Sequence, residues 1–292
     1  MKNQIIGTTL TLLTIPALNA PPTQAQQNSS CYSPTPAGGT ITEDWNAPNT
    51  ENLHNIQIPN DPGGGYVTVS ITTNRPKLRP RIKVRDVVSP GRKDVDIVTA
   101  SRNINDNGLT KASFEVSPNQ PLQITAAQFF NADRNQYPAQ YSIQWQFFSK
   151  VDCYEPNNSA TEAKEISIGQ TIRAFMLAGM SGNSLNQSGK EDWYQFTVDS
   201  PRRLAIALAQ LPTDIKFKLQ VYLVRNNSTL QSIKSVNLAK GAVAGGLDPL
   251  EFQPGTYKIQ VSATQYGDFR VTNDQRLPDH FNRRYGLLII PR

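Results

Sequence analysis

Val67-Thr68-Val69-Ser70-Ile71 and Leu204-Ala205-Ile206-Ala207-Leu208 decide the fold between them. Each is a brief apolar run bounded by turn-forming residues, the pattern of a strand rather than a helix. They lie 137 positions apart, and two further pairs keep that offset: Ile82-Lys83-Val84 with Leu219-Gln220-Val221, and Ile124-Thr125-Ala126-Ala127-Gln128 with Val261-Ser262-Ala263-Thr264-Gln265. Ahead of them, Cys31-Tyr32-Ser33-Pro34 is echoed by Cys153-Tyr154-Glu155-Pro156, and Gly38-Gly39-Thr40-Ile41 by Gly169-Gln170-Thr171-Ile172. Separated apolar patterns in one register point to an internal duplication of long period.

Working outward, YVTVSIT, RIKVRDV, SFEV, LQITA and YSIQWQF in the first half match DWYQFTV, LAIALAQ, FKLQVYLV, YKIQVSA and YGLLII in the second. These stretches alternate or run short, favour β-branched and aromatic residues, and are separated by Pro, Gly and Asn. Helical periodicity is weak throughout, with Ala160 to Lys164 the best place for a single turn. The expectation is an all-β protein of two tandem antiparallel β-sandwiches, residues 31–150 and 151–292, each of seven or so strands. In Asp192 to Val198, Tyr194, Phe196 and Val198 are expected to face the core and Trp193, Gln195 and Thr197 to face outward.

The chain has 292 residues, 38% of them hydrophobic and 18% charged, enough apolar content for packed cores. Beyond the first two dozen residues no apolar run reaches the roughly 20 residues of a membrane-spanning helix. At the start, Lys2, the apolar stretch Ile5 to Leu18 and the small-residue site Thr23-Gln24-Ala25 read as a cleaved export signal, residues 1–25, followed by a polar linker, 26–30. Asn28-Ser29-Ser30 before Cys31 lacks the leucine-like residue of a lipid-anchor site. A secreted, periplasmic or cell-envelope location follows, an oxidising setting in which Cys31 and Cys153 are candidates for a disulfide. Free thiols and an intermolecular bridge remain the alternatives.

The second half carries a resemblance. Glu155-Pro156-Asn157-Asn158-Ser159, then Asp192-Trp193-Tyr194, then Pro254-Gly255-Thr256-Tyr257 resemble, as a set, the bacterial pre-peptidase C-terminal domain, over about 140 residues; the first half resembles it only faintly. The resemblance implies a secreted, jelly-roll-like sandwich of the kind appended to exported enzymes. It also implies a calcium site, onto which Glu155, Asn157, Asn158 and Asp192 would map. Here the sequence departs from the family, because Lys190 stands where an acidic ligand belongs, and an ammonium there opposes a divalent cation. The alternative is that Asn157, Asn158 and Ser159 serve a turn and Asp192 binds backbone donors. Apart from that candidate calcium, no cofactor is expected.

In the first half every odd position from 75 to 85 is basic: Arg75, Lys77, Arg79, Arg81, Lys83 and Arg85. On one extended strand they would share a face, with neighbouring charges ~7 Å apart, and would suit an anionic polymer such as acidic polysaccharide or lipopolysaccharide. Pro76 and Pro80 support a different explanation, a charged edge strand protected against pairing. Nucleic acid is not expected, since no stacking motif accompanies the basic row.

Catalytic signatures are broken or missing. Gly179-Met180-Ser181-Gly182 is followed by Asn183 where a nucleophile elbow needs glycine. Gly63-Gly64-Gly65 precedes a strand and reads as a hairpin turn rather than a phosphate cradle, and neither His54 nor His280 has local company suggesting a base. The expected function is therefore a non-catalytic binding or accessory protein, with an anionic polysaccharide, an envelope component or a protein as partner. A structural, self-associating envelope protein and a glycan-directed hydrolase built on paired carboxylates are the alternatives.

Overall fold

The computed structural model describes residues 36–292 apart from 62, 76, 88–94, 102–108, 129–133, 151, 178–190, 226–228 and 266–269. The export signal, the linker, Cys31, the Gly179 to Asn183 stretch and Lys190 lie outside the described residues.

The first half contains β1 (Ala37–Trp45), β2 (Asn52–Gln57), β3 (Gly65–Thr73), β4 (Pro80–Asp86), β5 (Val95–Ser101), β6 (Thr110–Val116), β7 (Pro121–Gln128) and β8 (Ala139–Ser149). The second contains β9 (Lys164–Glu165), β10 (Thr171–Ala174), β11 (Glu191–Val198), β12 (Arg202–Ala209), β13 (Lys216–Val224), β14 (Leu230–Leu238), β15 (Ala244–Phe252), β16 (Gly255–Gln265), β17 (Arg270–Thr272) and β18 (Tyr285–Pro291). A 3-10 turn at Ala160–Glu162 occupies the position anticipated for a helical turn.

Four sheets result, in the orders β1-β8-β3-β6-β17, β2-β7-β4-β5, β10-β18-β12-β15 and β14-β13-β16-β11-β9. Setting aside β9 and β17, the two halves repeat one wiring: first, eighth, third and sixth strands in one sheet, second, seventh, fourth and fifth in the other. The three pairs of apolar patterns found by offset fall on β3 and β12, β4 and β13, and β7 and β16, which occupy matching places. The protein is all-β, and among the described residues every pairing is antiparallel except β9 with β11.

Each pair of facing sheets encloses its own core. Val67, Val69 and Ile71 of β3 meet Ile82, Val84, Ile124 and Ala126 of the opposite sheet, all fully buried. In the second half Tyr194, Phe196, Leu204, Ile206, Leu219, Ile259 and Leu287 do the same. Burying such a side chain stabilises by roughly 1.5–3 kcal/mol each, so the inward set of every central strand is fixed by the core. As expected, Tyr194, Phe196 and Val198 point inward.

Among the described residues each half has eight sandwich strands, close to the seven or so expected. Two features differ from the sequence reading. The Gly63-Gly64-Gly65 turn is no hairpin, because β2 pairs with β7 and β3 with β6 and β8, so the turn carries the chain from one sheet to the other. Gly64 there has φ +64°, and a Cβ would meet the Val116 carbonyl at 2.6 Å, which is why glycine is needed. Most consequentially, β17 comes from the second half yet pairs with β6, joining the first half's sheet.

Candidate functional site

The basic row does not form one extended strand. Arg75 and Lys77 are exposed in a turn closed by the Leu78 amide to the Arg75 carbonyl at 3.0 Å, and Arg75 Nη2 reaches the Pro138 carbonyl at 3.5 Å. Arg79 precedes β4 and is half-buried. Only Arg81, Lys83 and Arg85 share a strand face, because Ile82 and Val84 between them are at 0% exposure in the core. The edge-strand explanation is also corrected. Strand β4 lies between β7 and β5, hydrogen-bonded on both sides, so its cations do not guard an open edge.

Across this outer face, Lys83 stands opposite Thr125 on one side and Thr99 on the other, and Arg85 opposite Gln123 and Asp96. Lys83 Nζ and Arg85 Nε both bind Asp96, each at 2.8 Å. Burial by itself would raise the Asp96 pKa, but the hydrogen bonds and charges of Lys83 and Arg85 outweigh it and hold the carboxyl below its ordinary value. One carboxylate thus orients two cations, and the face as a whole stays positive.

The four calcium candidates are divided. Asn157 and Asp192 are buried at 1% exposure, whereas Glu155 and Asn158 lie at the surface, where Asn158 Nδ2 donates to Glu155 Oε2 at 3.3 Å. Neither polar atom of the Asn157 side chain has a hydrogen-bond partner among the described residues. Its carbonyl accepts from the Trp193 amide at 2.8 Å, which sets it beside Asp192. Tyr285 donates to Asp192 Oδ2 at 2.5 Å. The nearby Asp152 has both oxygens on backbone amides, those of Tyr154 (2.9 Å) and Phe175 (3.0 Å). Among the described residues no three His, Cys, Asp or Glu side chains gather as a metal-holding group. Within the described residues the backbone contact sets Asn157 beside Asp192 while Glu155 contacts Asn158, and calcium would need six to eight oxygens.

A second cluster left no signal along the chain. His54 Nε2 meets the Tyr141 hydroxyl at 2.9 Å, Asn52 Nδ2 meets the same hydroxyl at 2.8 Å, and Tyr141 donates to Glu43 Oε2 at 3.2 Å. His54 therefore has the polar company its local sequence lacks. Its counterpart is the Asp192 site, because His54 pairs with Ile124 and Asp192 with Val261, an offset pair, and Tyr141 and Tyr285 lie on the matching strands β8 and β18. In each sandwich a buried tyrosine reaches from one sheet to a polar side chain on the other. Burial is the largest influence raising both tyrosine pKa values; for Tyr141 the Asn52 hydrogen bond opposes it, while neighbouring carboxylates add to it at both sites and keep the hydroxyls protonated as donors.

The matching outer face of the second sandwich has other chemistry. Trp193 faces outward as expected but is only 7% exposed, stacked on Tyr222 at 5.4 Å. Tyr222 donates to Gln260 Oε1 at 2.8 Å and Trp193 Nε1 to Glu191 Oε2 at 3.0 Å.

No family model matches the chain, and neither does any curated protein. Among solved structures it is similar to the pre-peptidase C-terminal domain of a collagenase from Bacillus anthracis, with 16% identity and a TM-score of 0.29 over 44% of this chain and 93% of that one. It is also similar to the tandem CBM22-1-CBM22-2 domains of Xyn10C from Paenibacillus barcinonensis, with 12% identity and a TM-score of 0.27 over 88% and 91%. A third likeness is to the PBSX exported protein XepA, with 8% identity and a TM-score of 0.27 over 78% and 86%. At such identities and scores these likenesses decide nothing about ligand or activity. No helix among the described residues is long and apolar enough to cross a membrane.

Proposed function

We propose that the chain is an exported, non-catalytic binding protein that takes anionic polysaccharide on the outer face of its first sandwich. One observation carries this reading: Arg81, Lys83 and Arg85 project from a central strand, where a charged row has no edge to protect. Charges repeated at ~7 Å along a rigid sheet present a fixed ladder to a linear polyanion, and binding it would relieve their mutual repulsion. Flanking Gln123 and Thr99 add an amide and a hydroxyl suited to sugar hydroxyls. The same reading places an export signal at residues 1–25, divides the sandwiches near residue 150, treats both as pre-peptidase-like copies and pairs Cys31 with Cys153.

The test is an array of acidic, sulfated and neutral glycans together with lipopolysaccharide, probed with the processed protein and with the Arg81→Gln/Lys83→Gln/Arg85→Gln variant. Binding confined to anionic members, weakened by salt and lost in the variant, is expected. Equal binding by the variant would remove the proposal.

A structural, self-associating role is the second reading. It is favoured by β1 and β14, edge strands of nine residues each, since an unpaired strand edge is a template for another chain. Sedimentation across a hundredfold concentration range separates the two, because the binding protein stays monomeric.

A further inference from the structure

The chain leaving β16 does not return directly to β18. It first lays Arg270–Thr272 against Ala112 to Phe114 of β6. Asn273 then fastens the crossing, accepting from the Lys111 amide at 3.2 Å and donating to the Ser101 carbonyl at 3.0 Å. A 3-10 turn, Asp279–Phe281, reverses the direction. Phe281 stacks on Tyr66 at 4.9 Å, and Tyr66 on Phe148 at 4.6 Å, so the turn is seated on aromatic surface of the first sandwich. Asp279 accepts from the Thr213 amide (2.9 Å) and hydroxyl (3.1 Å) ahead of β13 and pairs with Arg283 at 3.2 Å.

At the centre of this crossing is His280, at 0% exposure. Its Nε2 meets Glu115 Oε1 on β6 at 2.6 Å, and its Nδ1 meets Asp214 Oδ2 at 2.5 Å. One carboxylate belongs to each sandwich. An imidazole can donate from both nitrogens only when protonated, so both contacts are satisfied as charge-assisted hydrogen bonds only in the imidazolium form. Burial, the largest single influence, pulls the His280 pKa down, but the hydrogen bonds and charges of Asp214 and Glu115 together push it up to about 9. Asp214 is held below its ordinary value by the same contact, against the opposing effect of burial. Glu115 from β6 and Asp214 from the turn before β13 both meet the ring. Asp279 and Arg283, its neighbours on the crossing segment, pair with each other.

We propose that residues 270–284 form a charge-locked latch that makes the two sandwiches one cooperative folding unit, so that neither half is a module able to stand alone. The first sandwich lacks its fifth sheet strand and the cover over Tyr66 until the second supplies them. The second in turn threads its last strand, β18, through this crossing. The sign of the pH dependence follows from the imidazole. A group whose pKa rises on folding stabilises fully below its unfolded value, 6.5 here, and loses that contribution as pH climbs through about 9.

Differential scanning calorimetry of the full chain tests the latch. The wild type should unfold in a single transition at pH 7, and His280→Ala should lower it by about 10 °C or split it in two. A single transition within 2 °C of wild type in the variant would overturn the proposal. Should that variant fail to fold, the wild type decides by itself. Its transition should fall or split between pH 8 and 10, with His280 ring resonances moving in the same range, and a ring titrating near 6.5 or a transition unchanged to pH 10 would refute the latch.

Discussion

Strands β4 and β13 occupy the same place in two identically wired sandwiches and bury the same kind of residue. Their outward sets nevertheless differ in chemistry: Arg81, Lys83 and Arg85 on one, Lys218, Gln220 and Tyr222 on the other. The edges diverge too. Strand β6 is covered by β17, whereas its counterpart β15 pairs only with β12 and carries Pro249 and a register shift at the corresponding place. Proline removes a donor and a bulge distorts the ladder, so one edge is protected by a neighbour and the other by its own irregularity. Inward residues set the architecture and are held to one type by the core. Outward residues are under no such constraint, and there the halves acquire separate properties.

The largest effect expected from this comparison is in the two tyrosine contacts. Tyr285→Phe removes a donor from the buried Asp192 carboxylate and should cost about 2–3 kcal/mol, while Tyr141→Phe, whose partner Glu43 is half exposed to solvent, should cost about 1 kcal/mol. Urea midpoints with unchanged slopes measure both, and equal losses would show that the sites are not distinguished by burial of the carboxylate. Next comes a transfer of chemistry between faces. Gln220→Lys with Tyr222→Arg in the triple-Gln background should restore part of the anionic-glycan binding, tenfold or so below wild type. Restoration of nothing would mean that charge spacing is insufficient and that Thr99 and Gln123 contribute. The smallest effect is expected from calcium: millimolar calcium or a chelator should move the melting temperature by less than about 1 °C, because among the described residues no three acidic or imidazole side chains gather as a metal-holding group. A calcium-dependent rise of 5 °C would place a centre there.

Much of the fold was legible along the chain. Central strands such as 67–71 and 204–208 are apolar because both sides of the local ladder and one face are enclosed, and the fixed offset disclosed the repeat. Edge strands were not: β14 is mostly exposed, and β15 contains Gly245, Gly246 and Pro249 and buries only Leu247 and Phe252, so neither shows a regular alternation. The basic row was visible as alternation, but three of its six cations fall before the strand begins. His280 was unreadable, since its two carboxylate partners lie 66 and 165 residues away. His54 was likewise opaque, because its tyrosine is 87 residues distant.

The amino-acid order alone determined that this protein is all strand, made twice to one pattern, with particular side chains turned inward, because alternation and apolar content act over a few residues. Tertiary structure decided that β4 is central rather than at an edge, that the calcium candidates separate into buried and exposed pairs, and that a segment of the second half completes the first. Those outcomes depend on which distant strands lie side by side, and hydrogen-bonded neighbours far apart in the chain leave no local trace.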